Sequence, residues 1–261
     1  MLINTVILFL RDALPVFWLI SLLLAQGNSA KQSYRWVLWT VPGGLILAFA
    51  LMFNFSALSN LAEGAGLEWM TFVTHTLIYL LVVLHLYIFR QGLNQYWQQS
   101  AGALGVLTIG INGSYFLMFL DNYWRAGQHY WSLFTGTLLG FGVCFSAGIL
   151  IYLFNHAFLR RGSQGLFVLL ILCWSAGQLI FTFNLLAQVN VISASAPIWD
   201  TSDWISDSSE LGLVLNTLIG YESTPTLLQI ITYLLCILTP LYIFFRTSSQ
   251  SETVQSTGVS E

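Results

Sequence analysis

The sequence predicts an all-α integral membrane protein of seven transmembrane helices, with its N-terminus outside and its C-terminus in the cytoplasm. Three observations carry this expectation. Of 261 residues, 56% are hydrophobic and only 7% charged, whereas soluble domains carry about 25% charged residues; there is too little polarity here to cover a water-facing surface. Seven stretches reach the roughly 20 apolar residues that crossing the hydrocarbon requires: 3–26, 36–57, 70–90, 101–120, 132–155, 165–188 and 226–245. The basic residues between them are one-sided. Lys31, Arg35, Arg90, Arg160, Arg161 and Arg246 follow odd-numbered spans, and only Arg125 follows an even one. Lysine and arginine favour the cytoplasmic side, and this sets the orientation.

The first span contains FLRDALPVFWLISLLLA, residues 9–25, in which Arg11, Asp12 and Pro15 interrupt the apolar run. A charge in the bilayer costs several kcal/mol unless paired or hydrated. Arg11 lies about 12 Å into the span at 1.5 Å per residue, shallow enough to snorkel with Asp12 as counter-ion. Pro15 removes a backbone N–H and crowds the carbonyl of Arg11, so the alternative is a carbonyl and a carboxylate offered to a cation. Residue physics leaves both readings open. No basic n-region precedes this run and no small-residue cleavage site ends it, so it is expected to be a retained span and not a signal peptide.

The second span is flanked by Trp36 and Trp39, and Trp69, Trp97, Trp124, Trp131, Trp199 and Trp204 fall at other predicted interfaces, as an aromatic belt does. His75 and His85 lie in the third span, about 80° and 15 Å apart on a helix. They cannot share one metal, and each reads as a helix-packing residue. Asn112, Ser114 and Tyr115 make a polar cluster, GINGSYF, in the fourth span. Interhelical hydrogen bonding, with Gly110 and Gly113 permitting close approach, competes there with a role in a transport pathway. GTLLGFGVCFSAG in the fifth span is helix-packing glycine, since neither a preceding strand nor a following lysine makes it a phosphate loop. Cys144, Cys173 and Cys236 sit inside apolar spans and read as small hydrophobes.

One seven-helix domain is expected over residues 1–246. Its one long connection, about 189–225, is external and acidic, with Asp200, Asp203, Asp207, Glu210 and Glu222 and no basic residue. Asp200, Asp203 and Asp207 are placed to attract cations to an entrance. Residues 247–261, TSSQSETVQSTGVSE, form a polar cytoplasmic tail expected to be disordered. The formal net charge of -3 and the lack of a basic run argue against nucleic acid as a partner, leaving the lipid bilayer. No catalytic triad, nucleotide motif or haem-ligand pair is visible, so neither an enzyme nor a bound cofactor is expected.

The pattern resembles the oxidase-dependent iron permease family, seven-span proteins that import iron. The likeness is strongest over residues 199–235, WDTSDWISDSSELGLVLNTLIGYESTPTLLQIITYLL, and extends to the layout of spans five and six around NHAFLRRGSQGLFVLLILCWSAGQLI. The family carries Arg-Glu-Gly-Leu-Glu in spans one and four, and its glutamates are thought to bind the ion in transit. The matching positions here are Arg11-Asp12-Ala13-Leu14-Pro15 and Ile111-Asn112-Gly113-Ser114-Tyr115, a degenerate pair that keeps the first arginine and one carboxylate. The resemblance implies import of iron or another metal cation across the cytoplasmic membrane, with a periplasmic ferroxidase or cupredoxin-type partner. It places the pathway at Arg11, Asp12, Asn112, Ser114 and Tyr115, with Asp12 as the metal ligand. The alternative is a non-transporting membrane subunit that scaffolds a metal-handling or redox complex. Asp12 is expected to face Asn112 and Ser114, with span one loosened at Pro15.

Overall fold

The computed structural model of the protein describes residues 2–29, 34–125, 130–193 and 195–257. Its elements are α1 (Leu2–Ser29), α2 (Arg35–Phe53), α3 (Phe55–Ser59), α4 (Gly66–Arg90), α5 (Asn94–Arg125), α6 (Tyr130–Arg160), α7 (Gln164–Gln188), α8 (Glu210–Ile219) and α9 (Leu227–Thr257). Seven of these, all but α3 and α8, are long and apolar enough to cross a membrane. Among the described residues there is no strand, only an isolated bridge between Pro197 and Thr226.

Local chemistry sets the element ends. The second span stops at Phe53, four residues short of its expected end, because Asn54 turns its amide back to the Ala50 carbonyl at 2.8 Å and leaves helical geometry. The turn before α4 takes Ala62, Glu63 and Gly64 through the left-handed region. α4 then begins at Gly66, four residues earlier than hydropathy places it, and so includes Glu68. α1 runs unbroken through Pro15; the sequence suggests a loosened span there, but helix geometry is kept on both sides of the missing N–H. In α9 the apolar stretch ends at Arg246. The backbone stays helical to Thr257, so the expected disordered tail is described only as this stretch of helix backbone.

The helices pack chiefly in pairs. Gly140 of α6 meets Phe9 of α1, and Gly148 meets Phe17 and Ser21, so the two run parallel. α2 and α5 are also parallel, with Gly102 against Trp39, Gly105 against Thr40, Gly110 against Leu47 and Gly113 against Ala48. Small residues let these backbones approach closely, as the sequence of α5 suggests for Gly110 and Gly113. α4 and α7 are antiparallel, joined by Phe72–Phe183 at one end and Phe89–Phe167 at the other. These directions are those of seven consecutive crossings. One end of the bundle, the N-terminal face, gathers the starts of α1, α4, α6 and α9 with the ends of α2, α5 and α7, and α8 lies there too. Arg35, Arg90, Arg160, Arg161 and Arg246 stand at the opposite face, and Arg125 at the N-terminal face. Lys31 lies outside the described residues.

The core runs along α1, α4, α5 and α7, through Leu19, Leu22, Ile78, Val82, Leu104 and Ile171. Trp36 and Trp97, expected at an interface, are instead fully buried and meet edge to face at 6.1 Å. α2 and α6 turn Leu38, Ile46, Phe134, Leu138 and Leu150 outward and exposed, a display of apolar surface that suits lipid and not water.

Candidate functional site

At the N-terminal face the bundle opens into a cavity of about 290 Å³ walled by α1, α4, α5, α7 and α8. α1 contributes Arg11 and Asp12, α4 contributes Glu68, Thr71 and His75, and α5 contributes Asn112 and Tyr115. α7 adds Gln178, and α8 adds Asn216 and Thr217. Of the residues expected in the pathway, Arg11, Asp12, Asn112 and Tyr115 line this one cavity. Ser114 is not among the lining residues. It is fully buried, and its hydroxyl donates to the Ile111 carbonyl one turn back at 2.7 Å.

The charges in the cavity divide unequally. The Arg11 guanidinium donates from Nε to Asp12 Oδ1 at 2.7 Å and from an Nη to Oδ2 at 3.2 Å. Both oxygens of Asp12 are thus engaged by its own neighbour, and the carboxylate is buried. Glu68 is different, because its Oε2 is buried and makes no hydrogen bond. The lining thus sets one guanidinium beside two carboxyl groups, Asp12 and Glu68.

The neutral groups are held by hydrogen bonds to nearby backbone and side chains. The Asn112 amide nitrogen donates to the Thr108 carbonyl at 2.9 Å, that of Asn216 to the Tyr221 carbonyl at 2.8 Å, and that of Gln178 to the Thr217 carbonyl at 3.3 Å. Each tether uses one of the nitrogen's two N–H donors, and the Gln178 side chain is also hydrogen-bonded to His75. Thr71 gives its hydroxyl proton to the Leu67 carbonyl at 2.7 Å, so in its hydrogen bond with Tyr115 the phenol is the donor. His75 Nδ1 lies 2.8 Å from the Thr71 carbonyl, which fixes the ring proton there, and the ring is also hydrogen-bonded to the Gln178 side chain. Among the described residues, no three His, Cys, Asp or Glu side chains converge closely enough to hold a metal ion between them.

α8 completes the wall, and the connection that bears it is itself structured. Ser209 caps its first turn by accepting from the Gly212 N–H at 3.0 Å. Gly220 ends it in the left-handed conformation (φ 71°), pressed so closely on Gly177 of α7 that a Cβ on Gly177 would stand 2.4 Å from the Gly220 Cα. The external carboxylates are used unevenly. Asp207 accepts from both the N–H and the hydroxyl of Ser223 and so pins the connection. Asp200 accepts from the hydroxyl and N–H of Ser202, the hydroxyl first, and these bonds hold its carboxyl below the usual range. Asp203 is exposed. Glu222 is half-buried, and burial with the nearby charge of Asp207 raises its carboxyl above the usual range, against a hydrogen bond from Asn184.

Glu68, His75, Gln178 and α8 are the parts of the site that the sequence reading leaves out. The signal for Glu68 is its register, since Glu68, Thr71, His75, Ile78, Val82 and His85 repeat at intervals of three and four along one face of α4. What fold and site define together is a class, a protein of seven membrane-length helices with a polar cavity at one face that holds two carboxyl groups and one guanidinium. No protein-family model, no curated protein and no solved structure matches this chain.

Proposed function

We propose that the protein is a membrane transporter for a small metal cation, with iron as the cargo its resemblance implies, and that it works inward across the cytoplasmic membrane. The observation that carries this reading is the cavity lining, in which two carboxyl groups, Asp12 and Glu68, stand with one guanidinium and the amide side chains of Asn112, Gln178 and Asn216 supply further oxygens. A hard cation seeks oxygen acceptors, whereas an anion would meet one guanidinium already committed to Asp12. The orientation is N-terminus outside, supported by the five arginines gathered at the opposite face. The cavity is then external, and the exposed Asp200 and Asp203 raise the local cation concentration near it.

Glu68 is the ion's first anionic contact, and Arg11–Asp12 is a neutral pair beside it. With so few anionic donors the ion keeps most of its water, for which the volume leaves room at about 30 Å³ per molecule. The non-transporting scaffold is the second reading, favoured by the engagement of both Asp12 oxygens by Arg11. Radiolabelled iron uptake by cells lacking their own iron permeases, with and without this gene, separates the two. Gene-dependent uptake is expected, and uptake equal to the empty control at matched expression would reject transport.

A further inference from the structure

The same face of α4 that carries Glu68, Thr71 and His75 into the cavity continues toward the opposite face of the bundle. Ile78 and Val82 come next, both essentially without exposure, and His85 follows, fully buried. From His75 to His85 is about 15 Å at 1.5 Å per residue, half the thickness of the hydrocarbon. Along this face the helix is polar, then apolar, then polar.

His85 does not stand alone at the inner end. Its Nε2 lies 2.7 Å from Gln26 Oε1 on α1, and Trp97 Nε1 on α5 donates to that same oxygen at 3.0 Å. Because an indole N–H can only donate, the atom it meets on Gln26 is the amide oxygen, and His85 must donate to it from Nε2. The ring's Nδ1 lies 2.8 Å from Ser100 Oγ on α5. With its proton on Nε2, the neutral ring can only accept there, and the single Ser100 hydroxyl proton is shared between Nδ1 and the Trp97 carbonyl 3.0 Å away. Four side chains thus tie together α1, α4 and α5, the three helices that also bring Asp12, Glu68 and Asn112 to the cavity. The tie is sealed from solvent and incompletely satisfied, since Gln26 Nε2 is buried with no hydrogen-bond partner. A network that served only to glue helices would be expected to satisfy its own donors; this one leaves a buried donor idle.

We propose that the permeation path follows this face of α4, and that Gln26, His85, Trp97 and Ser100 are its inner closure, shut here while the cavity is open at the N-terminal face. Ile78 and Val82 form the dry barrier between them. The inference rests on the transporter reading and extends it to residues that line no part of the cavity. Separation of the three helices at their inner ends breaks the hydrogen bonds to Gln26 and Ser100 and admits water to Val82 from the opposite face.

The test is cysteine accessibility in the full-length protein with its three native cysteines replaced by alanine. Val82→Cys is probed with a membrane-impermeant charged maleimide in vesicles of each orientation, and Asn112→Cys reports the outer cavity. In an otherwise unaltered chain Asn112→Cys should label from the N-terminal face, and Val82→Cys from neither side. Adding Gln26→Ala should raise labelling of Val82→Cys from the opposite face about tenfold, the effect of losing one or two net hydrogen bonds, and should lower that of Asn112→Cys. Ser100→Ala, which removes one bond and almost no volume, should do the same to a smaller degree in monodisperse protein, so a misfolded Gln26→Ala variant would not leave the question open. Unchanged labelling at Val82→Cys in monodisperse Ser100→Ala and Gln26→Ala variants would overturn the closure, as would labelling of Val82→Cys from the opposite face without them. Transport is not read in this assay, so a failure of iron uptake would count against the proposed function and leave this result standing.

Discussion

Exchanging the two members of the Arg11–Asp12 pair one at a time should give unequal losses of stability. The pair is bidentate, but its partners are not buried alike, because the Asp12 side chain is 7% exposed and that of Arg11 is 47% exposed. Arg11→Met leaves a buried carboxylate with neither oxygen bonded by its guanidinium. Removing one partner of a buried ion pair costs about 3 kcal/mol at the low end of the usual range. Asp12→Asn leaves instead a half-exposed guanidinium that water in the cavity can solvate, and the loss is that of an exposed pair, about 1 kcal/mol or less. At roughly 2–4 °C per kcal/mol for a chain of this size, Arg11→Met should lower the thermal midpoint by about 6–12 °C, and Asp12→Asn by no more than about 4 °C. The assay is the monodisperse fraction of purified protein in detergent after stepwise heating. Equal shifts, or a larger one for Asp12→Asn, would refute the assignment of Asp12 as the buried, dependent partner.

Gly177→Ala should destabilise the protein by about 1–3 kcal/mol, as overpacking does, because its Cβ would stand 2.4 Å from the Gly220 Cα; an unchanged melting midpoint would show that α8 is not held against α7 as described. Glu222 gives a pH signature. Its carboxyl is raised by burial and by Asp207, so the folded state holds that proton more tightly than the unfolded chain does. Stability is lost as pH rises from the ordinary glutamate range through the raised value. Glu222→Gln, which can still accept from Asn184, should therefore raise the melting midpoint at about pH 8 and leave it nearly unchanged at about pH 4. A gain confined to low pH would contradict the sign.

The architecture was largely legible because crossing a membrane sets a simple length and polarity rule, and seven helices are long and apolar enough to meet it. That Arg11, Asp12, Asn112 and Tyr115 line one cavity fits the expectation that polar groups inside a bundle face protein. Ser114 was not separable from its neighbours, because a serine in a helix can satisfy itself on its own backbone, as it does on Ile111. Glu68 was hidden by the hydropathy window, which discounts a charged residue near a span's start and so begins the span after it. α8 was obscured by the acidic composition around it, although Ser209, the apolar run ELGLVLNTLI and Gly220 are a cap, a body and a stop in order. Asp207 looks like a free surface charge in sequence, and only the fold brings Ser223 to it.

The central claim is that a metal cation passes through the Glu68 cavity. Its most direct test is radiolabelled iron uptake per protein molecule, in either oxidation state, into liposomes holding the purified wild type, Glu68→Gln or Ser114→Ala. Uptake should exceed that of protein-free liposomes for the wild type and stay unchanged for Ser114→Ala. For Glu68→Gln it should fall at least about tenfold, the effect of losing about 1.4 kcal/mol of favourable interaction. Wild-type uptake no greater than that of protein-free liposomes, or Glu68→Gln uptake equal to wild type molecule for molecule, would contradict it.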